Sequence, residues 1–294
     1  MAEAGSDSPH LEKAEQAQAA EHSAPQALVI HEVVRDEGEH ELEKRSGAVA
    51  WSGLAAGMSM GFSFLCLAVI SSMLPDSPWR PLVASAGYTV GFVITILSRQ
   101  ELYSESTLTV MLPLLVRRDL ATLLGVLRFW GIVLVANLAG TWLFALLLTK
   151  EALFATPIQD ALRTIGHESI GGDFGVTLMK AVIAGWLIAL MAWMLPSARS
   201  ARLFVILLLT YVVALCHLPH IVAGSVEAAF SWFTGQASAL DYLYGFLLPT
   251  LIGNTIGGVA LVALLNHAPL AEDLSAESPP PRRPHRRVSK KLPA

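Results

Sequence analysis

Polar residues dominate the first 45 positions, and the chain then alternates long apolar runs with short polar or charged breaks. A helix crossing a bilayer core needs about 20 mostly apolar residues. Six stretches meet that need: residues 46–73, 81–113, 120–149, 175–195, 203–233 and 243–267. Between them stand Pro75-Asp76-Ser77-Pro78, Arg117-Arg118-Asp119, the stretch 150–174, Pro196 to Arg202, and Thr234 to Asp241. Ahead of the first span, Leu28, Val29, Ile30, Val33 and Val34, followed by Glu41, Glu43, Lys44 and Arg45, predict a short amphipathic helix at the membrane surface. Residues 1–27 read as a disordered polar tail, and Pro279 to Lys291 as a solvated basic tail near anionic headgroups.

Two of the six spans break the pattern. Segment 81–113 would make a straight helix of about 50 Å at 1.5 Å per residue, against a hydrocarbon core of about 30 Å. Its centre reads Ser98-Arg99-Gln100-Glu101-Leu102-Tyr103-Ser104-Glu105-Ser106-Thr107. Three ionisable groups at that depth are costly on a plain lipid-facing helix. A broken helix whose irregular middle is buried in protein or lines a cavity avoids that cost. Segment 203–233 repeats the problem with His217-Leu218-Pro219-His220-Ile221-Val222-Ala223-Gly224-Ser225-Val226-Glu227. Pro219 removes a helical hydrogen bond and Gly224 relaxes the backbone, so a break is expected there too.

These are spans two and five, and the spans that follow them match as well. Span three carries Asn137-Leu-Ala-Gly140 and span six Asn254-Thr-Ile-Gly257-Gly258. Ser104 to Asn137 is 33 residues and His220 to Asn254 is 34. The pattern is a 3+3 repeat, 46–149 and 175–267, with the second copy inverted because each unit has an odd number of spans. Paired broken helices at matching positions point to a transport site at the bilayer midplane. Gly53, Gly57 and Gly61 in span one, and Gly87 and Gly91 in span two, let helices pack closely.

Composition agrees with this picture and excludes others. The chain has 294 residues, 53% hydrophobic and 15% charged, well below the roughly 25% charge of soluble domains. Residues 1–45 hold 11 acids and 4 bases, 46–268 hold 10 of each, and 269–294 hold 3 acids and 6 bases. Lysine and arginine at the span ends favour the inside. An inside N-terminus puts Lys44, Arg45, Arg117, Arg118, Arg199, Arg202 and the basic tail on one side, leaving Arg80, Lys150 and Arg163 on the other. Both termini are therefore expected in the cytoplasm. The start, Met-Ala-Glu-Ala-Gly-Ser-Asp, has no basic segment leading into an apolar one, so the first span is expected to be retained. Cys66 and Cys216 lack metal-ligand spacing and read as free thiols.

Other functions lack their residues. There is no His-Glu-x-x-His, no Gly-x-Ser-x-Gly and no facing aspartate pair for an intramembrane enzyme. His217 and His220 share one segment and His267 sits at a membrane edge, so bis-histidine haem has no second pair. Neither break holds the Asn-Pro-Ala of water and glycerol channels, although a neutral-solute channel, or a stress-related pore of unknown cargo, stays as the alternative. No cofactor, metal or nucleic acid is expected.

The breaks also carry a family resemblance, over roughly residues 46–267. Glu101-Leu102-Tyr103-Ser104 resembles the acidic-Leu-Phe-Thr loop of the formate/nitrite transporter family. His220-Ile-Val-Ala-Gly224 resembles its span-five histidine segment, and Leu248-Pro249-Thr250-Leu251-Ile252-Gly253-Asn254 resembles its span-six Pro-x-x-x-Gly-Asn stretch. The run from His220 to Glu227 is most similar to the YfdC-like branch. The resemblance implies an all-α, aquaporin-like membrane fold, a homopentamer with one pore per subunit, and a bacterial inner-membrane location. It implies a small monovalent weak-acid anion as cargo: formate, nitrite, hydrosulfide, acetate or lactate. It further implies His220 facing the pore, Ser104 at the loop's threonine position, and Leu102 with Tyr103 at apolar constrictions.

Several residues depart from the family pattern. Gly224 replaces a pore asparagine, Pro219 a glutamate, and Glu105-Ser106 the usual small or amide residues. Tyr88 and Phe92, one turn apart, are further constriction candidates, and His217 lies one turn from His220. Arg99, Glu101 and Glu105 are expected to include an ion pair holding the loop, with Arg99 or Lys180 as partners for Glu227. Lys180 would attract anions or snorkel to the membrane surface, and Asn137 and Asn254 would cap or cross-link the broken helices. An anion crossing apolar constrictions pays heavily for desolvation and a neutral acid pays far less. A histidine near its usual pKa of about 6.5 is suited to exchange the proton.

Overall fold

The computed structural model describes residues 11–22 and 25–270; the basic tail 271–294 and its Pro279–Lys291 run lie outside the described residues, as do residues 1–10. Every regular element among the described residues is helical. Helix α1 (Lys13–His22) is followed by α2 (Ala27–Glu43). On α2, His31, Val34 and Gly38 fall on one face and are buried. They pack against the span-two region and the fourth span, while Val29 and Val33 remain exposed. The predicted amphipathic helix is present, but its buried stripe faces protein instead of lying on a membrane surface.

The first three spans are α3 (Ser46–Met73), α4 (Arg80–Leu97) with its continuation α5 (Tyr103–Thr109) and α6 (Met111–Arg117), and α7 (Leu120–Leu148). The connector 150–174 holds a helix that the span count did not predict, α8 (Thr156–Glu168). Its signal is in the sequence: Ile158, Ala161, Leu162 and Ile165 recur at helical spacing behind Pro157. The buried face of α8 covers α3 and the second half of span five. The last three spans are α9 (Phe174–Ala198), α10 (Arg202–Leu215) with α11 (Ala223–Phe233), and α12 (Asp241–Leu270). Among the described residues five helical runs are long and apolar enough to cross a membrane, with α9 and α10 forming one of them. Arg199, at a positive φ of 39° with ψ −111°, lies between those two. Exposed Trp51, Val135, Met179 and Phe204 contribute to an apolar outer surface suited to lipid or to a neighbouring subunit.

Both predicted breaks are present and end in the same way. The Gln100 amide donates to the Thr95 carbonyl at 3.0 Å, closing α4; the Leu218 amide donates to the Val213 carbonyl at 3.0 Å, closing α10. This six-to-one bond is a Schellman stop, which needs a left-handed residue just past the helix. Arg99 (φ 53°) and His217 (φ 48°) fill that position.

The spans that follow each break lie close to a glycine helix. In α3, Gly57 has no room for a Cβ because the Asn137 carbonyl of α7 stands there, and in α9 the Asn254 carbonyl of α12 excludes a Cβ at Gly185. Gly140 and Gly257 return the contact against the Leu54 and Val182 carbonyls. The glycine spacing therefore sets interhelical distance at matched positions in both halves.

Candidate functional site

The two helix stops leave backbone groups unpaired at the centre of the protein, and buried groups of this kind need partners. One asparagine serves each break. Asn137 Oδ1 accepts from the Tyr103 amide at 2.9 Å, and its Nδ2 donates to the Gly53 and Glu101 carbonyls, both at 2.8 Å. Asn254 Oδ1 accepts from the Ile221 amide at 2.8 Å, and its Nδ2 donates to the Ala181 carbonyl at 2.8 Å and the Pro219 carbonyl at 3.1 Å. Each set of partners lies at equivalent places in its half. In this register Leu102 of the first break is the counterpart of His220 in the second.

His220 is fully buried, with its Nε2 2.6 Å from Ser104 Oγ. Its Nδ1 lies 3.1 Å from the Ala223 amide, which donates to it. An amide only donates, so Nδ1 carries no proton and the imidazole hydrogen sits on Nε2. Nε2–H therefore donates to Ser104 Oγ. The Ser104 hydroxyl hydrogen is left without a protein acceptor among the described residues, free for an oxygen of a guest molecule. The edge of Phe92 packs against the imidazole at a centroid distance of 5.0 Å, and Tyr88 packs on Phe92 at 5.6 Å. Leu102 is buried beside them in the same core.

A cavity of about 690 Å³ lies on the α8 side and reaches from Arg80 and Lys180 past His217, Glu227 and Tyr88 to His220. Phe92, Leu102 and Tyr103 are buried together in one apolar cluster. Tyr103 is braced, with its hydroxyl 3.0 Å from Thr255 Oγ1 and its ring against Trp130. Gly224, at the family's asparagine position, lies under the Phe246 ring, whose edge stands 2.8 Å from where a Cβ would be. An aromatic edge from α12 thus occupies the space of the missing amide.

The expected loop ion pairs are corrected. Arg99 does not pair with Glu101 or Glu105; its guanidinium is exposed and lies 3.8 Å from Glu37 of α2. Glu101 pairs instead with Lys44 at 2.6 Å. The reason is the docking of α2, which brings its own charges over the loop; Glu39 likewise takes Arg117 at 3.1 Å. Glu105 has no ion pair among the described residues. Neither Arg99 nor Lys180 pairs with Glu227: Arg99 is on the α2 side, and Lys180 and Glu227 share the cavity wall without an ion pair between them.

Sequence reasoning missed three contacts: the α2 clamp, the Phe246–Gly224 contact, and a buried pair in which His31 Nε2 lies 3.0 Å from His267 Nδ1. Burial of His31 lowers its pKa. The two histidines are 236 residues apart in the chain, so no local pattern announces them.

Six spans, two of them broken at matched positions, with a cavity ending on a buried histidine, define an inverted-repeat membrane channel or transporter. The family model described as formate/nitrite transporter matches residues 28–268. Inner membrane protein YfdC of Escherichia coli (strain K12) is 39% identical over 249 residues, covering 85% of this chain and 80% of that protein. A pentameric formate channel with formate bound shares the fold at a TM-score of 0.65 and 17% identity, over 77% of this chain and 98% of that one. An FNT family ion channel does so at a TM-score of 0.67 and 20% identity, over 83% of this chain and 96% of that one. The chain belongs to the formate/nitrite transporter family and is an integral membrane protein.

Proposed function

We propose that this protein is an inner-membrane channel for small monovalent weak acids of the formate and nitrite class, which pass the His220–Ser104 pair in neutral form. The observation that carries this reading is the pair itself: one unused hydroxyl donor, oriented by a buried imidazole, at the end of a vestibule and in front of an apolar seal. A bare anion meeting that seal loses its hydration with one donor in exchange, whereas the neutral acid pays little. Arg80 and Lys180 in the vestibule attract an anion, against Asp76, Asp160, Glu168 and Glu227 on the same wall.

In this reading Leu102 and Phe92 are the constriction residues, and Tyr103 supports the loop. Asn137 and Asn254 hold the breaks open and do not touch cargo. The α2 side faces the cytoplasm, with both termini, which agrees with the excess of lysine and arginine there. The inner-membrane location and a homopentameric assembly follow the relatives so described. Hydrosulfide, acetate and lactate are further candidate cargoes.

The test is flux through purified protein in liposomes for formate, nitrite, hydrosulfide, acetate and lactate between about pH 5 and 8. Flux that rises as pH falls, in step with the neutral fraction, is expected for at least one of them. Absence of flux for all five would contradict the reading.

A further inference from the structure

The His220 geometry raises a question about the proton. Nδ1 is occupied by the Ala223 amide and Nε2–H by Ser104. To take up a second proton the ring must give up the Ala223 bond, which makes it a poor point of exchange. The proton that neutralises an arriving anion therefore needs another donor, upstream in the vestibule.

The cavity wall contains one carboxyl group set deep among apolar residues. Glu227 lies on α11 between buried Val226 and Ala228, and it shares the cavity with Tyr88, Lys180, His217 and His220. Its carboxyl has neither an ion pair nor a hydrogen bond among the described residues, and Lys180, Arg80 and His217 line the same space without pairing to it. Every element packed on α11 bears on its charge. From α8 the acids Glu168 and Asp160 line the cavity, and from α4 come Tyr88 and Arg80. Lys180 comes from α9, and His217 and His220 from the break. Tyr242 of α12 is engaged, with Ser225 at 3.3 Å and Trp142 at 2.9 Å. Helix α3 contributes only Cys66, and the only charged group of α7, Arg128, is bound to the Leu42 carbonyl at the far end.

We propose, resting on the weak-acid reading above, that Glu227 is the proton-exchange residue of the vestibule, handing its carboxyl proton to the arriving anion before it reaches His220. In the step, the O–H bond of the Glu227 carboxyl breaks and an O–H bond forms on the cargo oxygen. The neutral acid moves on toward Ser104, and the carboxylate left behind is reprotonated by hydronium from the α8-side solution. A carboxyl group and a small carboxylic acid hold their protons with nearly equal strength, so the transfer is close to balanced. An imidazolium holds its proton about two pH units more tightly. Lys180 and Arg80 of the same wall draw the anion toward Glu227, against the acids Asp76, Asp160 and Glu168 that line the cavity with them.

The experiment compares formate flux in liposomes through wild type, Glu227→Gln and Glu227→Asp between about pH 5 and 8, each first shown to elute as the wild-type oligomer. Glu227→Gln is expected to lose about tenfold or more of the flux near pH 7 and little near pH 5, where the bulk already supplies neutral acid. Glu227→Asp is expected to recover part of the loss. A Glu227→Gln profile superimposable on wild type, or lowered by one factor at every pH, overturns the proposal while leaving the weak-acid channel standing. A wild-type protein that carries no weak acid at any pH overturns both.

Discussion

At the first break Asn137 holds the Tyr103 amide and the Gly53 and Glu101 carbonyls; at the second Asn254 holds the Ile221 amide and the Ala181 and Pro219 carbonyls. The helices entering the breaks end with the same bond and the same left-handed residue. The backbone of the two halves is thus solved twice in one way, and the side chains on it differ. The position of His220 is taken by Leu102 in the first half. Charges at the first break, Arg99 and Glu101, turn toward α2 and are held by Glu37 and Lys44. At the second, the side chains of His217 and Glu227 line an open cavity. In the proposed path one break is a seal under a clamp and the other a reactive wall, so a symmetric fold would carry an asymmetric path.

The largest test of this comparison removes the shared part. Asn137→Ala and Asn254→Ala each abolish three hydrogen bonds, and each is expected to lower stability by about 3 kcal/mol or more. Thermal unfolding in detergent checks both. A much smaller loss for Asn137 would mean that α2 holds the first break and that the asparagines are not equivalent. Next is the contact that sets the second half apart. Gly224→Asn drives a side chain into Phe246 and is expected to cost about 1–3 kcal/mol, read by the same unfolding assay. Adding Phe246→Ala should return part of that, because the clash is with the ring edge.

A smaller effect belongs to the clamp. Lys44 is 40% exposed, so solvent screens its pair with Glu101, and Lys44→Ala is expected to cost about 1 kcal/mol or less. A double-mutant cycle with Glu101→Gln isolates the coupling. The smallest effect is pH-dependent and confined to α2. Burial lowers the pKa of His31, so the undocked helix binds more protons than the docked one once the pH falls below about 6.5. Docking should weaken from there downward and stay constant above. Hydrogen exchange of the α2 amides at pH 7.5 and 5.5, corrected for intrinsic rates, reads the change.

The spans, both breaks and the glycine contacts were legible because membrane burial writes them locally: run length, a charge at the wrong depth, a small residue every fourth position. The asparagines were legible as a matched pair for the same reason, since only the breaks leave backbone groups for them to hold. Helix α8 was legible in its spacing but hidden by a search for spans. The partners of Arg99 and Glu101, and the lack of one for Glu227 among the described residues, were not legible. They depend on where α2 docks and on the shape of a cavity, and neither is recorded in the residues near the breaks. The same holds for Phe246, which reaches Gly224 from another helix, and for His31 with His267.

The most direct test of the central claim is formate efflux from liposomes through wild type, Ser104→Ala and Ser104→Thr, measured side by side at about pH 6. In the proposed path the Ser104 hydroxyl is the donor that meets the cargo beside His220. Ser104→Ala should lower flux by about tenfold, the worth of one hydrogen bond of about 1.4 kcal/mol, and Ser104→Thr should retain it. Equal flux through all three would contradict passage along the His220–Ser104 pair.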